Sequence, residues 1–178
     1  DYGCGQGDDH AALRAAGLTA DGWDPHYFPK AKKKSADIVN LGFVLNVIED
    51  ASERIKTLKS AYKLAKQCLS VGVMVWGKGK TEGLKRHNDG HLTKRGTFQK
   101  YFNQGEIKNL IETALDQEAI SVGPGIFFVF RDKLAEQNFL TNRYRRFRDI
   151  SSLLTLLNIR PKQKTNKDLL LLESHPEL

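Results

Sequence analysis

Cysteine is scarce in this sequence, methionine scarcer, and long apolar runs are missing. Two cysteines, Cys4 and Cys68, make no disulfide framework and no zinc cluster, which points to a reducing, cytosolic setting. Apolar runs such as Gly42 to Ile48 fall far short of the roughly 18 residues that a membrane-spanning helix needs. No basic stretch followed by an apolar run opens the chain, so no secretory signal is visible. The histidines and cysteines show no ligand spacing, so no metal is expected. The single methionine is Met74, so the chain opens without an initiator residue.

What is present describes a globular domain with a real core. The chain has 178 residues, of which 40% are hydrophobic and 28% charged, and this balance excludes wholesale disorder. Basic residues outnumber acidic ones 28 to 21, a net charge of +7, so polyanions are natural partners, with nucleic acid first among them. Residues 1–77 carry +1, 78–108 carry +5, 109–130 carry −3 and 131–178 carry +4. The excess sits in a middle loop and a C-terminal extension.

Asp1 to Gly7 (DYGCGQG) is a glycine-rich turn, and Asp8 to Gly17 follows as a helix with acids at its N-terminus and a glycine at its end. Leu18 to Asp24 reads as a short strand ending on an acid, and residues 25–35 as a loop or degenerate helix with two prolines and a lysine run. Ala36 to Val39 is a buried strand, and Val44 to Ile48 starts a helix. Residues 51–68 form an amphipathic helix with Ile55, Leu58, Tyr62 and Ala65 on one face, and Val71 to Trp76 a buried strand. Residues 77–96 are a long basic loop, Asn103 to Leu115 a helix, and Ala119–Val122 with Ile126–Arg131 a hairpin turning at Gly123-Pro124-Gly125. From Lys133 the chain is helical and basic. Alternating strands and helices ending in a hairpin argue for a mostly parallel α/β sheet with one reversed strand near the C-terminal edge. Residues 1–132 make the domain and 133–178 a helical extension.

The glycines fall at 3, 5 and 7, and Asp8 stands where a dinucleotide fingerprint requires the next glycine. Asp8 and Asp9 open the helix where a pyrophosphate would sit, so NAD and FAD fit poorly, and the P-loop spacing is absent. Asp24 is placed to accept hydrogen bonds from both hydroxyls of a ribose, and Asp1 to meet a cationic amino group. A ribose, a cationic tail and no phosphate describe S-adenosylmethionine.

DYGCGQG, the acid of GWDP, ADIVNLGFVLNVIED and the helix–strand pair ending VGVMVW resemble class I methyltransferases in their order. More narrowly, DYGCG, GWDPHY, VNLGFVLNVIED, DGHLTKRGTFQKYFNQGEI and PGIFFVFRD resemble the methyltransferase family associated with DNA phosphorothioation, over about residues 1–146. The resemblance implies a Rossmann-like seven-stranded sheet and cofactor contacts at Asp1, Gly3, Gly5, Gly7 and Asp24, with Cys4 in the same turn. Pro25 would flank the adenine, and Asn40, at the end of the Ala36–Val39 strand, would be a further cofactor contact. It also implies DNA, and other proteins of a DNA-modification system, as partners.

Two departures follow. The central first strand of such a sheet normally precedes the first acid, so this sequence is expected to be a fragment whose upstream residues supply it. The stretch from Asp24 to Ala36 is also short for the usual second helix and third strand. Beyond the cofactor, Asn40-Leu41-Gly42-Phe43 keeps the end residues of an amino-methylating Asn-Pro-Pro-Phe motif without its prolines. Asn40 could hold an exocyclic amine and Phe43 could stack on a flipped base. No cysteine sits at a strand end, which argues against cytosine-C5 chemistry. His91 is a candidate general base. Asp89, Lys94, Arg95, Thr97, Gln99, Lys100 and Tyr101 could meet the acceptor, the cations through phosphates. The Arg143–Arg148 cluster, with Tyr144 and Phe147, could hold a nucleic-acid backbone. Two other functions fit the sequence: a catalytically silent nucleic-acid-binding or assembly module of this fold, and a small-molecule methyltransferase.

Overall fold

The computed structural model describes residues 1–77 and 79–146, with the side chains of 144–146 left aside. The described residues fall into two units that divide between Glu136 and Gln137. In the first, α1 (Asp8–Ala15) precedes β1 (Ala36–Gly42), α2 (Ala51–Leu64) and β2 (Ala65–Gly72). A small-sheet segment follows with β3 (Lys85–His87), β4 (Gly90–Leu92) and β5 (Phe98–Gln99). Then come α3 (Gln104–Leu115), β6 (Ile120–Gly123) and β7 (Ile126–Phe130). Helix α4 (Lys133–Arg146) crosses the division, and its continuation is the described part of the second unit. Phe147, Arg148, Leu153–Leu157 and Leu169–Leu172 lie outside the described residues.

The main sheet runs β1-β2-β7-β6, and it corrects the expectation of a mostly parallel Rossmann-like sheet. One pair, β1–β2, is parallel; β2–β7 and β6–β7 are antiparallel. β3, β4 and β5 make a separate antiparallel sheet. The reason lies in the connections. The β1–β2 crossover carries a helix, as a parallel pair requires, whereas the tight turn at Gly123–Gly125 folds β7 back between β2 and β6. Residues 1–35 add no full strand. Tyr2 and Trp23 make one parallel bridge, and the Tyr2 N–H donates to the carbonyl of Asn40 at 2.8 Å.

Leu41, Leu69, Val71, Phe127 and Val129 of the sheet are buried with Leu58 and Ala61 of α2 and Ile107 and Ile111 of α3. Each large side chain so buried contributes about 1.5–3 kcal/mol. Within α2 the buried residues are Arg54, Leu58 and Ala61, while Ile55 is 37% exposed, so the inward face is rotated from the expected one. The helix also stops at Leu64: Ala65 is already extended and pairs with Ala36. Pairing with β1 overrides local helix propensity there. α3 matches the expected span; Glu106 in its first turn accepts from the Asn103 N–H at 3.2 Å.

The residues of β1 before its rung with Tyr2 form an open edge, with Ile38 66% exposed in the middle of a strand. A hollow of about 1000 Å³ lies against this edge, walled by Leu13, Leu18, Trp23, Lys33, Ile38 and Val39 among others.

Candidate functional site

The glycine turn folds back on itself through Trp23. Trp23 N–H donates to the Asp1 carbonyl at 2.9 Å, and the Gly3 and Cys4 N–H groups donate to the Trp23 carbonyl at 2.7 and 3.1 Å. This brackets the turn against the end of the segment that carries Asp24. Gly3 (φ 82°) is required twice over: its backbone is left-handed, and an added Cβ would lie 2.4 Å from a Val44 methyl. Gly5 (φ 54°) differs, since nothing lies within 4 Å of where its Cβ would be. Its backbone therefore faces open space in which a ligand can approach closely.

Asp24 ties the turn to the next loop. Its Oδ2 accepts from Gly5 N–H at 3.0 Å, and its Oδ1 from His26 and Tyr27 N–H at 2.8 and 3.0 Å. Burial pushes this carboxyl up, but the three backbone donors outweigh it and hold the group below the usual carboxylate range. A carboxylate oxygen accommodates two donors, so by this count Oδ2 keeps one accepting position. Asn40, on β1, donates to Asp1 Oδ1 at 3.2 Å. The structure therefore brings together Asp1, Gly3, Cys4, Gly5, Gly7, Asp24, Pro25 and Asn40, which the sequence spreads over forty positions. Cys4 is half-buried and its thiol is pushed up, first by burial and then by the Asp24 charge, so it is a weak nucleophile. The large hollow lies beside this site, along the β1 edge, and Gly5 and Asp24 take no part in its walls.

At the carboxyl end of β1, Phe43 adopts a left-handed backbone (φ 58°), an outlier for a bulky residue. Its N–H donates to Gly72 O at 2.7 Å, and the turn lets the next residue, Val44, pack over Gly3. Phe43 is 55% exposed. Strain of this kind, about 1–3 kcal/mol, persists where the surroundings fix it and recurs at ligand sites. Val47 and Met74 are also exposed, and a Gln99 Nε2–H donates to Met74 Sδ at 3.4 Å, so the small sheet reaches the end of the β1–β2 pair.

The small sheet itself is locked down by a cluster that the sequence reading missed. Arg54 is 1% exposed, and its guanidinium donates to both Asp89 oxygens at 2.6 and 2.7 Å and to the carbonyls of Ile48 and Glu49 at 2.8 and 2.9 Å. Lys100, also buried, pairs with Asp89 at 3.0 Å and Glu106 at 2.7 Å. The Arg54 hydrogen bonds outweigh the effect of burial and hold the Asp89 carboxyl at about 2. Asp89 and Lys100, expected to meet an acceptor, are thus engaged with protein partners. Asn46, 1% exposed, finishes the bracket: its Nδ2–H donates to Lys100 O at 2.6 Å and its Oδ1 accepts from Met74 N–H at 2.9 Å. Arg54 sits four residues before Leu58 on the buried face of α2, and this placement of a cation on an apolar face is the signal that could have found it.

The remaining expected acceptor residues divide. His91 lies on β4 opposite Arg86 and Gln99, its Nδ1 buried with no hydrogen-bond partner, and its ring 6.5 Å from that of Tyr101. Thr97 closes a tight turn with Thr93, their hydroxyls 2.8 Å apart, and Lys94 and Arg95 project from that turn. None of these residues hydrogen-bonds to the glycine turn. Arg143 lies on α4, outside the first unit.

Among the described residues no helix is long and apolar enough to cross a membrane, and no group of three or more His, Cys, Asp or Glu could hold a metal ion. Set against models of known protein families and against curated protein sequences, the chain matches none.

Proposed function

We propose that this chain binds S-adenosylmethionine at the Asp1–Gly7 turn and transfers its methyl group to DNA. The observation that carries the reading is the Gly5–Asp24 tie: a half-buried left-handed glycine with open space where a Cβ would lie, fastened to a carboxylate that keeps one accepting position. The residues present fit the cofactor. Asp24 would accept from the ribose and Asp1, oriented by Asn40, would meet the cationic amino group. Asp8 and Asp9, at the start of α1, disfavour a diphosphate in the same place.

The cofactor supplies an electrophilic methyl on a sulfonium. The chain's part is to hold the acceptor in line with it and keep water out, and such positioning can supply most of the acceleration. Phe43, aromatic and exposed at the end of β1, offers a stacking surface for a base. Asn40 is already hydrogen-bonded to Asp1, so its side chain connects the cofactor turn to the acceptor side.

The test is incorporation of labelled methyl from S-adenosylmethionine into duplex DNA, with Phe43→Ala and Asp24→Asn beside the unaltered chain. Incorporation that falls at least tenfold in both variants supports the proposal. Binding of the cofactor and of DNA without incorporation favours a silent module, and incorporation into small molecules alone favours the small-molecule reading.

A further inference from the structure

The small sheet gathers four cations that hold no ion pair among the described residues. Lys85 and Arg86 lie on its edge strand β3, and Lys94 and Arg95 on the turn between β4 and β5; all four are exposed. The strand register brings them together. Lys85 pairs with Leu92, the last residue before the Thr93–Thr97 turn, and Arg86 pairs with His91 beside it. Adjacent strands lie about 4.8 Å apart and successive side chains alternate in face, so these charges flank both faces of the ladder at the end near the Thr93–Thr97 turn.

The acids that could neutralise them are engaged elsewhere. Asp89 is held by Arg54 and Lys100, Glu106 by Lys100, and Glu49 by His87 and Asn88. Glu82, in the turn before β3, is the one acid left in residues 78–100. These carboxylates thus already hold protein partners, whereas the four cations hold no ion pair among the described residues.

We infer that this end of the small sheet is a nucleic-acid backbone grip, in which Lys85, Arg86, Lys94 and Arg95 meet backbone phosphates. Hydroxyls sit beside the cations, of a kind that often joins phosphate contacts: those of Thr93 and Thr97, 2.8 Å apart. Among the described residues the large exposed apolar side chains lie outside residues 79–103, so the patch has no anchor for a lipid surface. The inference deepens the proposed function by naming the element that holds the DNA, and it rests on that reading for the choice of partner.

The test is fluorescence anisotropy of a labelled duplex of about 20 base pairs with the full chain between 50 and 200 mM salt. The comparison is a variant carrying Lys85→Gln, Arg86→Gln, Lys94→Gln and Arg95→Gln. A control variant carries Lys56→Gln and Lys59→Gln, both exposed on α2. Four phosphate contacts predict a log–log salt slope near −3.6, a loss of roughly 150-fold in affinity over that range. The quadruple variant should lose most of that slope while its urea midpoint stays unchanged, and the control should behave as the unaltered chain does. Unchanged affinity and slope in the quadruple variant overturn the inference. So does binding to phosphatidylserine vesicles in place of DNA. If the unaltered chain grips DNA through these residues yet transfers no methyl, the grip stands and the methyltransferase reading falls. If the quadruple variant methylates DNA with an unchanged KM, the reverse holds.

Discussion

Replacing Asp89 by asparagine strips the buried Arg54 guanidinium of its counter-charge. Removing one member of a buried pair costs about 3–5 kcal/mol when both are enclosed. Here the Arg54 side chain is 2% exposed but that of Asp89 is 44% exposed, so water at the Asp89 rim relieves part of the loss. Arg54 also keeps its bonds to the Ile48 and Glu49 carbonyls. The expected loss is therefore about 2–3 kcal/mol, a fall in Tm of roughly 5–10 °C for a chain of this size. Urea unfolding at neutral pH measures it. The pH dependence gives a second reading: Asp89 titrates near 2 in the folded chain against 3.8 ordinarily. A depressed pKa contributes stability above the unfolded value that is lost as pH falls through the folded one. The advantage of the unaltered chain over Asp89→Asn should thus be complete above about pH 4 and vanish toward pH 2. A neutral-pH difference under about 0.5 kcal/mol, or one that does not shrink across that window, refutes the claim that Arg54 and Asp89 lock the small sheet.

Other outcomes are as specific. Phe43→Gly should stabilise the chain by about 0.5–1 kcal/mol in urea unfolding, since its left-handed backbone suits glycine, while reducing methyl transfer to DNA. Gly5→Ala should lose about 1 kcal/mol of stability, because its φ is positive although its Cβ has room, and should weaken cofactor binding at least tenfold in calorimetry. Cys68 is buried and its thiol is pushed up to about 11, so a maleimide at pH 8 should label Cys4 before it in the native chain and both cysteines in urea.

How far the sequence could be read depended on whether local chemistry decided the structure. The β6–β7 hairpin was legible because Gly123-Pro124-Gly125 dictates a tight turn, and α3 because Ile107 and Ile111 recur at helical spacing. The meeting of Asp24 with the glycine turn was legible as an order of motifs, and the Gly5 hydrogen bond gives it a geometry. Tertiary pairing defeated the rest. The apolar periodicity of α2 continues through Ala65, yet β1 draws that residue into a strand. A mostly parallel sheet does not form, because Leu18–Asp24 has strand-like composition but makes one bridge, at Trp23. β3 and β4 are short and polar, held by a buried arginine from another element, so no local pattern announces them.

Calorimetric titration of S-adenosylmethionine into the folded chain, beside Asp24→Ala, tests the central claim most directly. The account predicts micromolar binding that weakens at least tenfold in the variant while the far-ultraviolet circular dichroism of both stays that of a folded α/β chain. No heat of binding from the folded, unaltered chain, or equal binding by Asp24→Ala, would contradict it.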